Sequence, residues 1–319
     1  MSQANGRYAY YPGCSLKSSA HAYDSSARQV GEVLGLTFQE IEDWNCCGAT
    51  EYFTINALPA YSLVARNLSL AAQMETEELI APCSACYLNL RKTDEHMAAH
   101  PELSAKVNQA LAAGRLHYEG GSLRIRHLLN AIVEDVGYEA IAEKVKRPLT
   151  GLRVAPYYGC LIVRPDSNSY NPEYPTHMDR LLETLGATVV DFPLKAHCCG
   201  GHMTQISEET AFELIRRLLQ NASEYEADMI VTVCPMCQLN LDAYQPNVNR
   251  AFGTQFNLPV LYFTQLMGLA FGLSPKALGI GSEITSAKAA LDKIGKEEAP
   301  VERKPKRRDK SALPMPSMQ

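Results

Sequence analysis

The chemistry of this chain lies in its cysteines. All ten fall into six clumps, arranged twice in the same order. The first set runs Tyr11-Pro12-Gly13-Cys14, then Asn45-Cys46-Cys47-Gly48, then Pro82-Cys83-Ser84-Ala85-Cys86, with 31 and 35 residues between clumps. The second runs Tyr157-Tyr158-Gly159-Cys160, then His197-Cys198-Cys199-Gly200-Gly201, then Cys234-Pro235-Met236-Cys237, with gaps of 37 and 34. Five thiols per set, with none left over, mark a twofold internal repeat whose repeated content is a thiolate cluster.

Several chemistries compete for such a cluster. A disulfide framework belongs to small secreted chains, and this chain has 319 residues. Inert buried cysteines have no reason to recur in matched clumps. Structural zinc takes four ligands tetrahedrally, which Cys-x-x-Cys plus Cys-Cys would supply, but it leaves Cys14 and Cys160 idle. Cubane iron–sulfur clusters also take four cysteines, at other local spacings. Five thiolates per set point to an unusual cluster.

The elements that must position these thiols read as alternating strands and helices. Tyr8 to Tyr11 and Val154 to Tyr158 are strand-like runs ending just before Cys14 and Cys160. Helices follow over 20–34 and 174–185, each stopped by a glycine, Gly35 or Gly186. Thr37 to Ile41 and Thr188 to Phe192 read as strands leading to the Cys-Cys-Gly clumps. Helices marked by Tyr61, Val64 and Leu68, and by Phe212, Ile215 and Leu219, come next. Leu79 to Ala81 and Met229 to Val233 are apolar runs of the kind found in buried parallel strands. After each Cys-x-x-Cys the chain continues as helix, with Tyr87-Leu88-Asn89-Leu90 matching Gln238-Leu239-Asn240-Leu241. Ile125 to Val136 and Leu261 to Gly272 read as apolar, helix-like closures. The fold class is α/β, with a small parallel sheet flanked by helices in each half.

This placement suits an anionic cluster. Cysteines at strand ends gather at one rim of an α/β sheet. Cys83 and Cys234 open helices, whose N–H groups and positive dipole end favour thiolate charge. Gly48 and Gly200 are expected to let the backbone approach the cofactor. Lys195, His197 and His202 flank the second Cys-Cys pair as candidate proton donors, a plain hydrogen-bonded role being the alternative. Trp44 and the tyrosines Tyr11, Tyr157 and Tyr158 read as packing and shielding.

Composition bounds the rest. With 46% hydrophobic and 20% charged residues the chain reads as a globular protein able to form two cores. A net charge of −5 argues against nucleic acid as the main partner. No secretory leader and no transmembrane run is visible, so the expected setting is cytoplasmic and reducing. Expected divisions are 1–148, 149–280 and a disordered basic tail over 281–319, where Arg303 to Lys310 is read as solvated chain. The sequence holds no ferredoxin-type run and no flavin or nucleotide motif, so electrons must come from a partner.

The spacing Cys-x31-Cys-Cys-Gly-x34-Cys-x2-Cys, with its second copy, resembles the CCG-domain family over roughly residues 7–273. The run Val145 to Cys160, the segment Pro175-Thr176-His177-Met178-Asp179 and the run Cys234 to Asp242 are similar to the B subunit of heterodisulfide reductase. The resemblance implies one noncubane 4Fe–4S cluster per copy. Cys14, Cys46, Cys47, Cys83 and Cys86 would hold one, and Cys160, Cys198, Cys199, Cys234 and Cys237 the other. Zinc in one repeat is the lesser reading. It also implies an oxidoreductase acting on sulfur groups, reducing a disulfide bound between the clusters or, in reverse, oxidising thiols or sulfur carriers. The ferredoxin-like and the flavin-containing subunits of a heterodisulfide reductase-like complex would be its partners. The competing reading is an electron-transfer and docking subunit of a succinate dehydrogenase or fumarate reductase.

Overall fold

Short β-prone runs that end at each cysteine clump become parallel strands. The computed structural model describes residues 6–49, 51–163 and 171–296. In the first half, β1 (Arg7–Tyr10), β2 (Thr37–Glu40), β3 (Glu78–Ala81) and β4 (Arg124–His127) form one parallel sheet in the order β2-β1-β3-β4. In the second, β5 (Arg153–Tyr157), β6 (Thr188–Val189), β7 (Met229–Thr232) and β8 (Val260–Tyr262) form another in the order β6-β5-β7-β8. The two sheets share one topology, and each reverses its winding between its first and third strands. In doubly wound sheets the crevice beyond the strand carboxyl ends at such a reversal is where ligands bind. Cys14 and Cys83 follow β1 and β3; Cys160 and Cys234 follow β5 and β7.

β4 and β8 correct the expected helix-like closures. Ile125 pairs with Leu79 and Leu261 with Val231 before the chain turns helical at Leu128–Ala131 and Phe263–Ala270. The strand expected over Thr188 to Phe192 is only two residues long.

Alternation along the strands splits the core. Tyr8 and Tyr10 point to one buried cluster, while Ala9 and Tyr11 point to another, as a two-residue period requires. Both clusters contain residues of both halves, so the halves do not bury separate cores as expected. The helix Phe263–Ala270 of the second half packs on His21–Leu34 of the first, and the Ser26 and Thr264 hydroxyls are 2.7 Å apart across that contact.

The junction near 148 is tied down rather than loose: Lys146 and Arg147 N–H groups donate to the Ala270 carbonyl, at 2.8 and 2.9 Å. Residues 281–296 depart from the expected disordered tail. The buried Asp242 carboxylate accepts the Ile284 and Thr285 N–H groups, both at 2.8 Å, and Ala287 and Ala290 are buried. The basic run Arg303 to Lys310 lies outside the described residues. Among the described residues no helix is long and apolar enough to cross a membrane.

Candidate functional site

The shared topology carries both cysteine sets to one place. All ten thiols line a single cavity of about 110 Å³. None is in a disulfide. The burial pattern repeats: Cys14, Cys46 and Cys198 are exposed and Cys160 half-buried, whereas Cys47, Cys83, Cys86, Cys199, Cys234 and Cys237 are buried. Inner distances repeat too, with Cys47 and Cys86 sulfurs 3.5 Å apart and Cys199 and Cys237 sulfurs 3.5 Å apart. Cys46 and Cys14 sulfurs are 3.9 Å apart.

Crowded sulfurs cannot all hold protons equally, and each set has a member that favours the thiolate. Contacts with Cys14 and then Cys47 bring Cys46 down to about 2, while Cys14 is pushed up by Cys46 and by burial. Cys47 is pushed up to about 11, chiefly by Cys46. In the second set Cys237 and Cys83 hold Cys234 well below the usual thiol range, while Cys160 is raised by Cys198 and by burial. Cys83 and Cys234 interact directly across the repeat, Cys234 being the main reason that Cys83 is raised.

The loops are held by side chains that the two copies share. Asn89 Nδ2 donates to the Cys47 carbonyl at 3.1 Å and to the Ala49 carbonyl; Asn240 Nδ2 donates to the Cys199 and Gly201 carbonyls at 3.1 and 2.8 Å. Tyr11 Oη donates to the Asn45 carbonyl at 2.7 Å, and Tyr157 Oη to the His197 carbonyl at 2.8 Å. Each of these tyrosine bonds fixes the residue just before a Cys-Cys pair. Cys83 and Cys234 sit at the N-caps of the helices Ser84–Ala99 and Pro235–Ala243, so the positive helix ends face the cavity.

Some expectations move. A β-carbon on Gly48 would meet Tyr52 and one on Gly200 would meet Ala211, while their backbone N–H groups reach the Cys-Cys pairs: Gly200 N–H lies 3.3 Å from Cys198 Sγ, and Gly48 N–H helps to hold Cys46 low. The glycines pressed against sulfur are Gly13, facing Cys86, and Gly159, facing Cys237. Each stands one residue before the lone cysteine of its set, and that position is the signal by which the sequence could have marked them. Lys195 is not at the cavity: its Nζ is buried, 2.6 Å from Asp179 Oδ1 and 3.6 Å from the centre of the Tyr174 ring. His197 is exposed and outside the lining. The histidine that reaches the cavity is His202, whose Nδ1 is 2.5 Å from Glu51 Oε1 of the other half.

A donor set made of thiols is what soft metals and iron–sulfur centres take. Among the described residues no three His, Cys, Asp or Glu side chains converge as ligands of a single ion would. The ten sulfurs line one shared space, as a multi-atom cluster would require.

A family model described as a cysteine-rich domain, CCG, matches residues 8–91 and 154–242. The chain is 35% identical over 284 residues to the 8-methylmenaquinol:fumarate reductase membrane anchor subunit of Wolinella succinogenes, covering 88% of this chain and 97% of that one. It is 31% identical over 273 residues to the B subunit of the ferredoxin:CoB-CoM heterodisulfide reductase of Methanosarcina mazei, covering 84% and 90%. A protein of Archaeoglobus profundus described as like the B subunit of heterodisulfide reductase is 30% identical over 287 residues, covering 86% and 94%. A crystal structure of a hypothetical protein from Helicobacter pylori has the same fold, with a TM-score of 0.73 at 16% identity over 89% of this chain and 52% of that one. With both cysteine sets inside the matched segments, the chain belongs to the CCG cysteine-rich domain family and carries two copies of the domain.

Proposed function

We propose that this chain is the sulfur-handling redox subunit of a complex like heterodisulfide reductase. Cys14, Cys46, Cys47, Cys83 and Cys86 would hold one noncubane 4Fe–4S cluster, and Cys160, Cys198, Cys199, Cys234 and Cys237 a second. The observation that carries this reading is that both sets line one cavity. Bound there, each cluster would supply one electron, and a disulfide needs two to become two thiols. The chain's own residues would shape that exchange. Asn89 and Asn240 keep the Cys-Cys loops from opening, and Leu161 and Met236 line the cavity with apolar surface that limits water. His202 lines the cavity with Glu51 behind it, an arrangement suited to deliver a proton to a departing sulfur. Lys195, paired to Asp179, keeps a structural role.

Two further proteins would complete the complex, one ferredoxin-like and one flavin-containing, since this chain has neither motif. The assembly would act on the cytoplasmic side. A second reading has its own support in the 35% identity to a fumarate reductase anchor subunit, whose name couples menaquinol to fumarate. On that reading the same thiols would hold a cofactor that supplies an electron relay between a quinol and a partner flavoprotein.

Anaerobically purified complex separates the two. Dye-linked reduction of a disulfide, with no menaquinol-dependent fumarate reduction, supports the sulfur reading. The reverse pattern replaces it with the relay. Zinc with no iron removes both.

A further inference from the structure

Tyr23 touches equivalent backbone atoms of both copies. Its hydroxyl lies 3.2 Å from the Pro82 carbonyl and 3.1 Å from the Val233 carbonyl, sharing one proton between them. Pro82 precedes Cys83 and Val233 precedes Cys234, so the two acceptors are the same backbone atom in the two repeats. The ring is fully buried and stacks on Tyr262, with centroids 4.2 Å apart and planes 7° apart. Tyr262 ends β8 and caps the helix that follows, so the stack is anchored in the second sheet.

The contact has the marks of a built feature: one buried hydroxyl reaches the same backbone atom in both repeats. The carbonyls that Tyr23 joins belong to loops whose cysteines, Cys83 and Cys234, already interact across the repeat.

We propose that Tyr23 is a positioning residue that clamps the two Cys-x-x-Cys loops at one fixed separation, so that the two cysteine sets work as a pair rather than as independent one-electron sites. The inference rests on the reading that each set holds an iron–sulfur cluster. The Tyr23 hydroxyl bonds backbone carbonyls rather than a thiol. What it fixes is the geometry between sets, through the backbone that carries Cys83 and Cys234.

The test uses the full-length chain purified without oxygen, as wild type, Tyr23→Phe and Tyr262→Phe. Tyr23→Phe keeps the stacked ring and removes only the bridging hydroxyl. Iron and sulfide content should be equal in all three. In the reduced proteins the magnetic interaction between clusters, read by electron paramagnetic resonance, should be broadened or lost in Tyr23→Phe and retained in Tyr262→Phe. Amide exchange in the first turns of Ser84–Ala99 and Pro235–Ala243 should be faster in Tyr23→Phe by roughly fivefold, the effect expected from one lost buried donor. The helix Pro101–Leu111 should be unchanged and serves as the internal control. Superimposable resonance spectra at equal iron content would overturn the clamp. Iron-free wild type would defeat the reading of the cavity instead, and the exchange measurement would then decide: faster exchange in both first turns supports the clamp, and unchanged exchange overturns it.

Discussion

A β-carbon added to Gly159 would stand 3.0 Å from the Cys237 sulfur, and Gly159 holds a φ of +69°. Gly13 stands in the same relation to Cys86, at 2.9 Å with φ +73°. Two independent constraints coincide at each position. The backbone lies in the left-handed region, which costs an L-residue about 1–2 kcal/mol, and the space belongs to a sulfur. The turn that presents Cys14 or Cys160 is thereby packed directly on the Cys-x-x-Cys of its own set.

Gly159→Ala should lower stability by about 2 kcal/mol, from backbone strain and a displaced Cys237 together. The metal of the second set should be depleted while the first set keeps its own. Thermal unfolding and iron analysis check this, and Gly13→Ala should give the mirror result. Full iron in Gly159→Ala would mean that the sulfur contact is incidental.

The asparagine clamps give a prediction that must hold twice. Asn240→Ala leaves the Cys199 and Gly201 carbonyls without their donor, and Asn89→Ala does the same for Cys47 and Ala49. Each loss should cost about 1–3 kcal/mol. Denaturant unfolding measures the cost, and thiol labelling should show the adjacent Cys-Cys pair of that set reacting faster. An effect in one half alone would show that the two loops are not held alike.

Lys195 offers a way to separate structure from chemistry. Its side chain is 1% exposed and ends on Asp179, which is 14% exposed. Lys195→Ala strands a half-buried carboxylate and should destabilise by about 3 kcal/mol, low in the range for breaking a buried pair because Asp179 is partly exposed and Tyr158 still donates to it. Iron content and, per folded molecule, turnover should survive. His202→Gln should do the opposite, leaving stability within about 0.5 kcal/mol and lowering kcat. A kcat loss in Lys195→Ala with unchanged unfolding would return Lys195 to the chemistry.

Much of this site is legible in the sequence because the cysteines mark it themselves. Their double spacing reveals the repeat, and apolar runs that stop at each clump become strands whose ends meet at one rim. Other features are hidden for physical reasons. β4 and β8 are three or four residues long and run straight into buried helices, so Ile125 and Leu261 look like parts of apolar helices. The shared core is invisible because pairing Ser26 with Thr264 spans 238 positions. Lys195 beside a Cys-Cys pair invites a catalytic reading, and only the fold brings it Asp179. The segment after 281 is polar in pattern, yet the buried carboxylate of Asp242 supplies the hydrogen bonds that anchor it.

The odd thiol of each set is the sharpest test of cluster type. A zinc ion or a cubane needs four cysteines, and Cys198, Cys199, Cys234 and Cys237 would suffice without Cys160. Yet Cys160 lines the same cavity as those four, and contact with Cys198 is the main cause that pushes its thiol up. Wild-type chain prepared without oxygen should hold about eight irons and as many sulfides, four of each per set. Cys160→Ser should lower the iron toward about four and change the visible spectrum, since a five-thiolate site loses one of its ligands. Cys14→Ser should act in the same way on the first set, and the double variant should be nearly iron-free. If Cys160→Ser kept its full iron and spectrum, four thiolates would be enough, and each repeat would be a conventional four-cysteine centre with a spare thiol at its mouth.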